Sequence, residues 1–122
     1  MPLVIRNAES PDEIMRCFPI VAELRPHLSK YDFTSLVNRL SESTGFRLAY
    51  ASDPEVKAVA GYRMAEWMYS GKYLEIEDLV TAGAERSKGY GSTLFRWLVV
   101  EAERNHCEQL RLVSGVQRSD AH

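Results

Sequence analysis

Apolar residues along the chain repeat first with the period of a helix, then of a strand, then of a helix again, and the changes mark the elements. Leu3-Val4-Ile5-Arg6 is a short apolar run and predicts a first strand. Ser10-Pro11-Asp12-Glu13 follows, with Ser as N-cap, Pro at the first helical position and Glu at the third. That is a capping box at the start of a helix. Ile14, Phe18, Val21 and Leu24 then recur at steps of three and four and give one apolar helical face. Pro19 falls inside this stretch, and its missing N–H predicts a kink or a split into two helices. Asp32 is placed to cap a second helix carrying Phe33, Leu36, Val37 and Leu40 on one face, with Gly45 as a left-handed terminator.

After Gly45 the period falls to 2. Phe46, Leu48 and Tyr50 alternate with Arg47 and Ala49, and Ser52-Asp53-Pro54-Glu55 supplies turn chemistry. Val56 to Met68 reads as a partner strand, Ser70-Gly71-Lys72 as a turn, and Tyr73 to Thr81 as a third strand of an antiparallel meander. From Gly89 the pattern is helical again, with Tyr90, Leu94, Trp97, Leu98 and Ala102 on one stripe widened by Val99 and Val100. Asn105 or His106 is expected to end that helix, and Gln109 to Ser114 reads as a last strand. The order β-α-α-β-β-β-α-β predicts an α+β domain.

Composition narrows the class. The chain has 122 residues, 45% hydrophobic and 26% charged, which predicts one soluble domain over residues 1–122. Fifteen Lys+Arg against 17 Asp+Glu leave a formal charge of −2, and no basic face is available for nucleic acid. No apolar run is long enough to span a membrane, and the N-terminus lacks the pattern of a signal peptide. The cytoplasm is therefore the expected compartment. Cys17 and Cys107 are too few for a disulfide framework and read as small buried hydrophobes. His27, His106 and His122 share no ligand spacing, so no metal site is expected.

The segment from Leu74 to Leu94 carries the chemistry. Leu74 and Ile76 alternate, but Asp78 stands where the next apolar residue belongs and Leu79 follows it. One extra residue restores the alternation, which is the signature of a β-bulge near Glu77–Leu79. A bulge splays neighbouring strands and predicts a cleft lined by free backbone groups. Arg86-Ser87-Lys88-Gly89-Tyr90-Gly91-Ser92 then runs directly into the helix. Two glycines at a helix mouth let the backbone approach a ligand and aim several N–H groups at one point, where the helix dipole is positive. Arg86 and Lys88 add formal charge, and the combination suits a pyrophosphate. The spelling is not that of the P-loop, because Lys88 precedes its glycine, nor of the dinucleotide fingerprint, because Leu94 occupies the third glycine position.

Arg86-x-x-Gly89-x-Gly91, four residues after a strand ending Glu77-Asp78-Leu79-Val80-Thr81, resembles the acetyl-coenzyme A binding motif of the GNAT superfamily of N-acetyltransferases. The resemblance covers nearly the whole chain and implies a mixed, mostly antiparallel sheet with helices on both faces. It implies that the backbone amides of Ser87, Lys88, Gly89, Tyr90 and Gly91 hold the coenzyme pyrophosphate with Arg86, Ser92 and Thr93 nearby, and that the pantetheine arm lies along Leu79, Val80 and Thr81. The Val80 amide would polarise the acetyl carbonyl, a role worth about 3 kcal/mol. Because that role belongs to the main chain, alanine at 80 should be tolerated where proline should not. The reaction implied is attack by a primary amine of a small molecule or peptide on the thioester. An ammonium with a pKa near ~10 needs a base, and Glu75, Glu77 and Asp78 are the candidates, directly or through water.

Trp67, Met68, Tyr69 and Tyr73 cluster at a hairpin and read as packing residues or an acceptor pocket, and Tyr31 and Phe33 are candidates for the acceptor rim. The chain departs from the family after its last strand. Ser114 to His122 looks like the approach to a further helix, but that helix, which normally carries a Tyr that protonates the leaving thiolate, and the two strands after it do not follow. Either the chain is a piece of a longer one or its sheet is completed by a second copy. The second option predicts a homodimer through the exposed strand Gln109 to Ser114. A catalytically inactive coenzyme-binding sensor or assembly module is the alternative function.

Overall fold

A computed structural model describes residues 3–86 and 88–113. Its elements run β1 (Val4–Asn7), α1 (Pro11–Leu24), α2 (Lys30–Thr44), β2 (Arg47–Ser52), β3 (Val56–Trp67), β4 (Gly71–Thr81), a 3₁₀ turn (Gly83–Glu85), α3 (Tyr90–Arg104) and β5 (Gln109–Leu112). The strands form one sheet in sequence order, antiparallel except for the β4–β5 pair, which is parallel because α3 crosses over between them. The expected α+β order is the observed one. The last predicted strand reaches Leu112, and Ser114 to His122 lie outside the described residues.

Helices cover both faces. On one, α1 and α2 bury Ile14, Cys17, Ile20, Val21, Phe33 and Val37 against Leu48, Tyr50, Val56 and Val59 of the strands. On the other, α3 sets Leu94, Leu98 and Ala102 onto Ala49, Ala51, Ala58 and Ala60, beside Tyr62, Leu74 and Ile76. The alanines matter. Four small side chains on adjacent strands leave the depth that the two fully buried leucines of α3 fill.

The capping box of α1 is formed: Glu13 N–H donates to Ser10 Oγ at 3.1 Å, and Ser10 N–H donates to Glu13 Oε1 at 3.1 Å. Glu13 does more than cap. Its second oxygen accepts from the Tyr50 hydroxyl at 2.7 Å and meets Arg6 Nε at 2.9 Å, so one carboxylate ties the start of α1 to β1 and β2. These partners, the Tyr50 hydrogen bond first, hold its carboxyl at about 2.

Three expectations need correction. Pro19 does not split its helix: α1 is continuous from Pro11 to Leu24, with Pro19 on the exposed side and buried residues before and after it seated on the same sheet face. Asp32 does not cap α2. The helix begins one turn earlier at Ser29, whose Oγ accepts from Asp32 N–H at 3.1 Å, so Asp32 is a first-turn acid favoured by the helix dipole. Cys17 is fully buried, but Cys107 is only partly so, because it sits in the turn after α3 rather than under it. His106, in the left-handed conformation with φ 61°, makes that turn.

Candidate active site

The loop between β4 and α3 is organised around Glu85. Its carboxylate faces Lys88 Nζ at 3.3 Å and Lys57 Nζ at 3.4 Å, and the Lys88 hydrogen bond, followed by that from Lys57, lowers its pKa. The chain reaches α3 through Gly89, whose φ of 83° is the left-handed conformation that an L side chain resists. Thr93 N–H donates to Gly89 O at 3.0 Å and closes the first helical bond. Gly89 has no side chain to cap the helix, so the amides of Tyr90, Gly91 and Ser92 have no acceptor within α3 and face outward from its positive end. A Cβ on Gly91 would stand 2.8 Å from Thr81 Oγ1, whereas one on Gly89 would meet nothing within 4 Å. Gly91 thus lets the first turn of α3 lie against the end of β4, and Gly89 opens toward free space. Amides with no acceptor inside α3, beside Arg86 and Lys88, form an arrangement that can receive an anion.

The register of β4 makes the cleft. Gly61 of β3 lies opposite Asp78 but Tyr62 lies opposite Ile76, so Glu77 is the extra residue of a β-bulge. On the other side β5 follows β4 only to the Leu112–Ile76 pair, with a last bond from Val113 N–H to Ile76 O at 3.0 Å. From Glu77 to Thr81 no described residue of β5 stands beside β4. The gap is a cleft of about 480 Å³, floored by Glu77, Leu79, Val80 and Thr81 and walled by Glu23 and Leu24 of α1, Leu112 and Val113, with Arg86 at one end.

The bulge also turns two consecutive carboxylates to the α1 face. Glu77 receives Arg63 Nη1 at 3.1 Å, and Asp78 is gripped by Arg25 through Nη2 at 2.6 Å and Nε at 3.3 Å. Glu75 sits in register between Arg63 on β3 and Arg111 on β5.

A model of the acetyltransferase (GNAT) family matches residues 9–122. The chain belongs to the GNAT acetyltransferase family. An uncharacterized N-acetyltransferase of Bacillus subtilis (strain 168), YhdJ, is 29% identical over 119 residues, covering 97% of this chain and 84% of that protein. Among solved structures, a GNAT family acetyltransferase of Staphylococcus aureus superposes with a TM-score of 0.78 at 17% identity, covering 94% of this chain and 88% of its own. A ribosomal-protein-alanine N-acetyltransferase of Brucella melitensis biovar Abortus 2308 reaches 0.81 at 14%, covering 98% and 85%. A transcriptional regulator of Bacillus halodurans C-125 also reaches 0.81, at 21% identity, covering 98% and 87%. These structures share the fold. Acetyl transfer is the chemistry of the family, acetyl-coenzyme A its general cosubstrate. Among the described residues no group of His, Cys, Asp or Glu is arranged to hold a metal, and no helix is long and apolar enough to cross a membrane.

Within this GNAT domain Leu79, Val80, Thr81 and Arg86 line the cleft together. Lys88, Gly89, Tyr90, Gly91, Ser92 and Thr93 form the helix mouth beside it, and Ser87 lies outside the described residues. Of the three carboxylates considered as base, Glu77 lines the cleft, Asp78 lines a smaller cavity behind Val80, and Glu75 lines neither. Glu23 is a cleft residue that sequence reasoning missed. It lies on the exposed side of an amphipathic helix, where a carboxylate is unremarkable, yet its Oε1 accepts from Gly83 N–H at 3.0 Å and ties α1 to the loop across the cleft. At the hairpin, Trp67 and Tyr73 meet edge to face at 5.8 Å and hold the Arg111 guanidinium 4.5 and 4.2 Å from their ring centres. Met68 and Tyr69 are exposed, as is Tyr31, whereas Phe33 is buried beneath α1.

Proposed function

We propose that this GNAT domain moves the acetyl group of acetyl-coenzyme A to a primary amine of a small molecule or peptide. The observation that carries the reading is the junction of the two parts just described: an uncapped helix mouth flanked by Arg86 and Lys88, opening beside a strand whose bulge leaves a cleft. The amides of Gly89, Tyr90 and Gly91, with Ser87, Ser92 and Thr93, would hold the pyrophosphate, while the Lys88 N–H, expected to join them, donates to Glu85 O at 3.4 Å. The main chain of Leu79, Val80 and Thr81 would hold the pantetheine arm, and the Val80 amide would stabilise charge on the carbonyl oxygen. The cosubstrate brings an activated acetyl group; the protein brings position and a path for a proton.

That path starts at the amine, which must lose its ammonium proton before it can attack. Glu77 is the candidate base that lines the cleft. Arg63 Nη1 lies 3.1 Å from its carboxylate and fixes its direction, which suits a base that accepts the proton through a water molecule. Glu75 and Asp78 are the other candidates; Asp78 is held by Arg25, and Glu75 lies in strand register with Arg63 and Arg111.

The test is a calorimetric titration of the chain with acetyl-coenzyme A, followed by thiol release in the presence of an amine panel. Micromolar binding that is lost in Gly89→Asp, where a carboxylate would face the pyrophosphate, is the expected result. A folded chain that ignores the coenzyme would overturn it.

A further inference from the structure

A second cavity of about 50 Å³ lies behind Val80, which lines both it and the main cleft. Its apolar walls include Val21 of α1, Phe33 of α2, Phe46, and Val59 of β3. Its volume is above the ~10–15 Å³ needed to admit a water-sized group. The charged residues on its wall are Arg25 and Asp78, paired with each other and only partly exposed. This mostly apolar, partly open pocket carries a cation and an anion side by side.

We propose that the acceptor is a free aliphatic α-amino acid such as valine or leucine, an inference that rests on the acetyl-transfer reading above. A zwitterion of this kind carries an ammonium, a carboxylate and a short branched side chain on one carbon. The cavity offers a counterpart to each: the apolar walls for the side chain, the Arg25 fork for the carboxylate, and Asp78 for the ammonium. Asp78 and Arg25 exchange their mutual pair for the two charges of the ligand, so neither is left unpaired. Val80 lines both cavities, and Glu77 of the cleft precedes Asp78 in the chain, so an amino acid seated this way would hold its nitrogen on the side of the cleft.

The reaction then balances simply. The ammonium gives one proton to solvent through the carboxylates, the nitrogen forms its bond to the acetyl carbon as the C–S bond breaks, and the second nitrogen proton ends on the departing sulfur. A bare alkylamine or the N-terminus of a longer peptide has no carboxylate beside its nitrogen and leaves the Arg25 fork unused.

The experiment compares L-valine, L-valinamide, isobutylamine and glycine as ligands of the chain saturated with coenzyme A, by NMR titration. Valine should bind roughly tenfold to a hundredfold more tightly than valinamide or isobutylamine, from the value of a charge-assisted hydrogen bond pair. Arg25→Gln should abolish that preference and Arg25→Lys should keep part of it. Val21→Leu, which narrows the cavity without touching its charges, should weaken valine and leave glycine unchanged. Equal binding of valine and valinamide, or of valine and glycine, overturns the proposal. Coenzyme binding separates the two readings: a chain that binds coenzyme A but shows no preference for valine fails only this inference. If coenzyme A does not bind, the same titration is read on the free chain. A preference for valine there sustains the amino-acid site while the acetyl-transfer reading fails, and no preference overturns both.

Discussion

Gly91→Ala is the most informative single change, because it sets helix propensity against packing at the point where α3 meets β4. Alanine improves on glycine by up to about 1 kcal/mol in a helix, less in the first turn. The added Cβ, however, would lie 2.8 Å from Thr81 Oγ1, and ordinary contact begins at 3.4 Å, so the two elements must part by about 0.6 Å. Thr81 is β-branched and stiff at χ1, which leaves the helix to move, and overpacking of this kind costs about 1–3 kcal/mol. The expected net effect is destabilisation by about 1 kcal/mol. Thr81→Ala removes the opposing oxygen, so in that background the same change should stabilise. The coupling energy of the cycle should therefore be about 1–3 kcal/mol. Guanidinium unfolding of the four proteins measures it. Titration of each with acetyl-coenzyme A should show weaker binding in Gly91→Ala and recovery in the double variant, since the helix mouth is pushed from the strand and then returns. A Gly91→Ala protein as stable as its parent, or a coupling energy under about 0.5 kcal/mol, would refute the reasoning.

Two further outcomes follow from buried partners. Glu13 is held at about 2 against an ordinary 4.5, so its contribution is complete above pH 4.5 and is lost as pH falls toward 2; after allowance for screening it amounts to about 2 kcal/mol. Tyr50→Phe removes the largest cause, and urea unfolding between pH 7 and 2 should show a loss of about 1.5 kcal/mol at neutral pH together with a flatter acid limb; an unchanged acid limb would count against the network. Cys17 is fully buried and its thiol is pushed up to about 12, so a thiol-specific reagent should modify it only in denaturant, while Cys107 reacts in the folded chain. Two fast thiols in the native protein would contradict the packing of α1.

Much of this protein is local, and what is local is legible. The capping box at Ser10, the left-handed stop at Gly45, the extra residue at the bulge and the glycines at the mouth of α3 each depend on a few neighbouring residues, and the sequence alone determined them. The order of elements follows from the changes of period. Even among local features the start of α2 is ambiguous, because Ser29 and Asp32 both suit a helix N-terminus; the extended backbone at Ser29 makes it the cap and leaves Asp32 in the first turn. What the tertiary structure decided has a different origin. Pro19 stays within one helix because sheet contacts on both sides of it outweigh a lost hydrogen bond. Asp78 meets Arg25 across 53 positions of sequence, and Glu23 reaches Gly83 across 60. The carboxylates that line the cleft or its inner cavity, and the arginines that fix them, are thus chosen by strand register and helix docking. Register is a property of pairs of elements, and no periodicity within one element contains it.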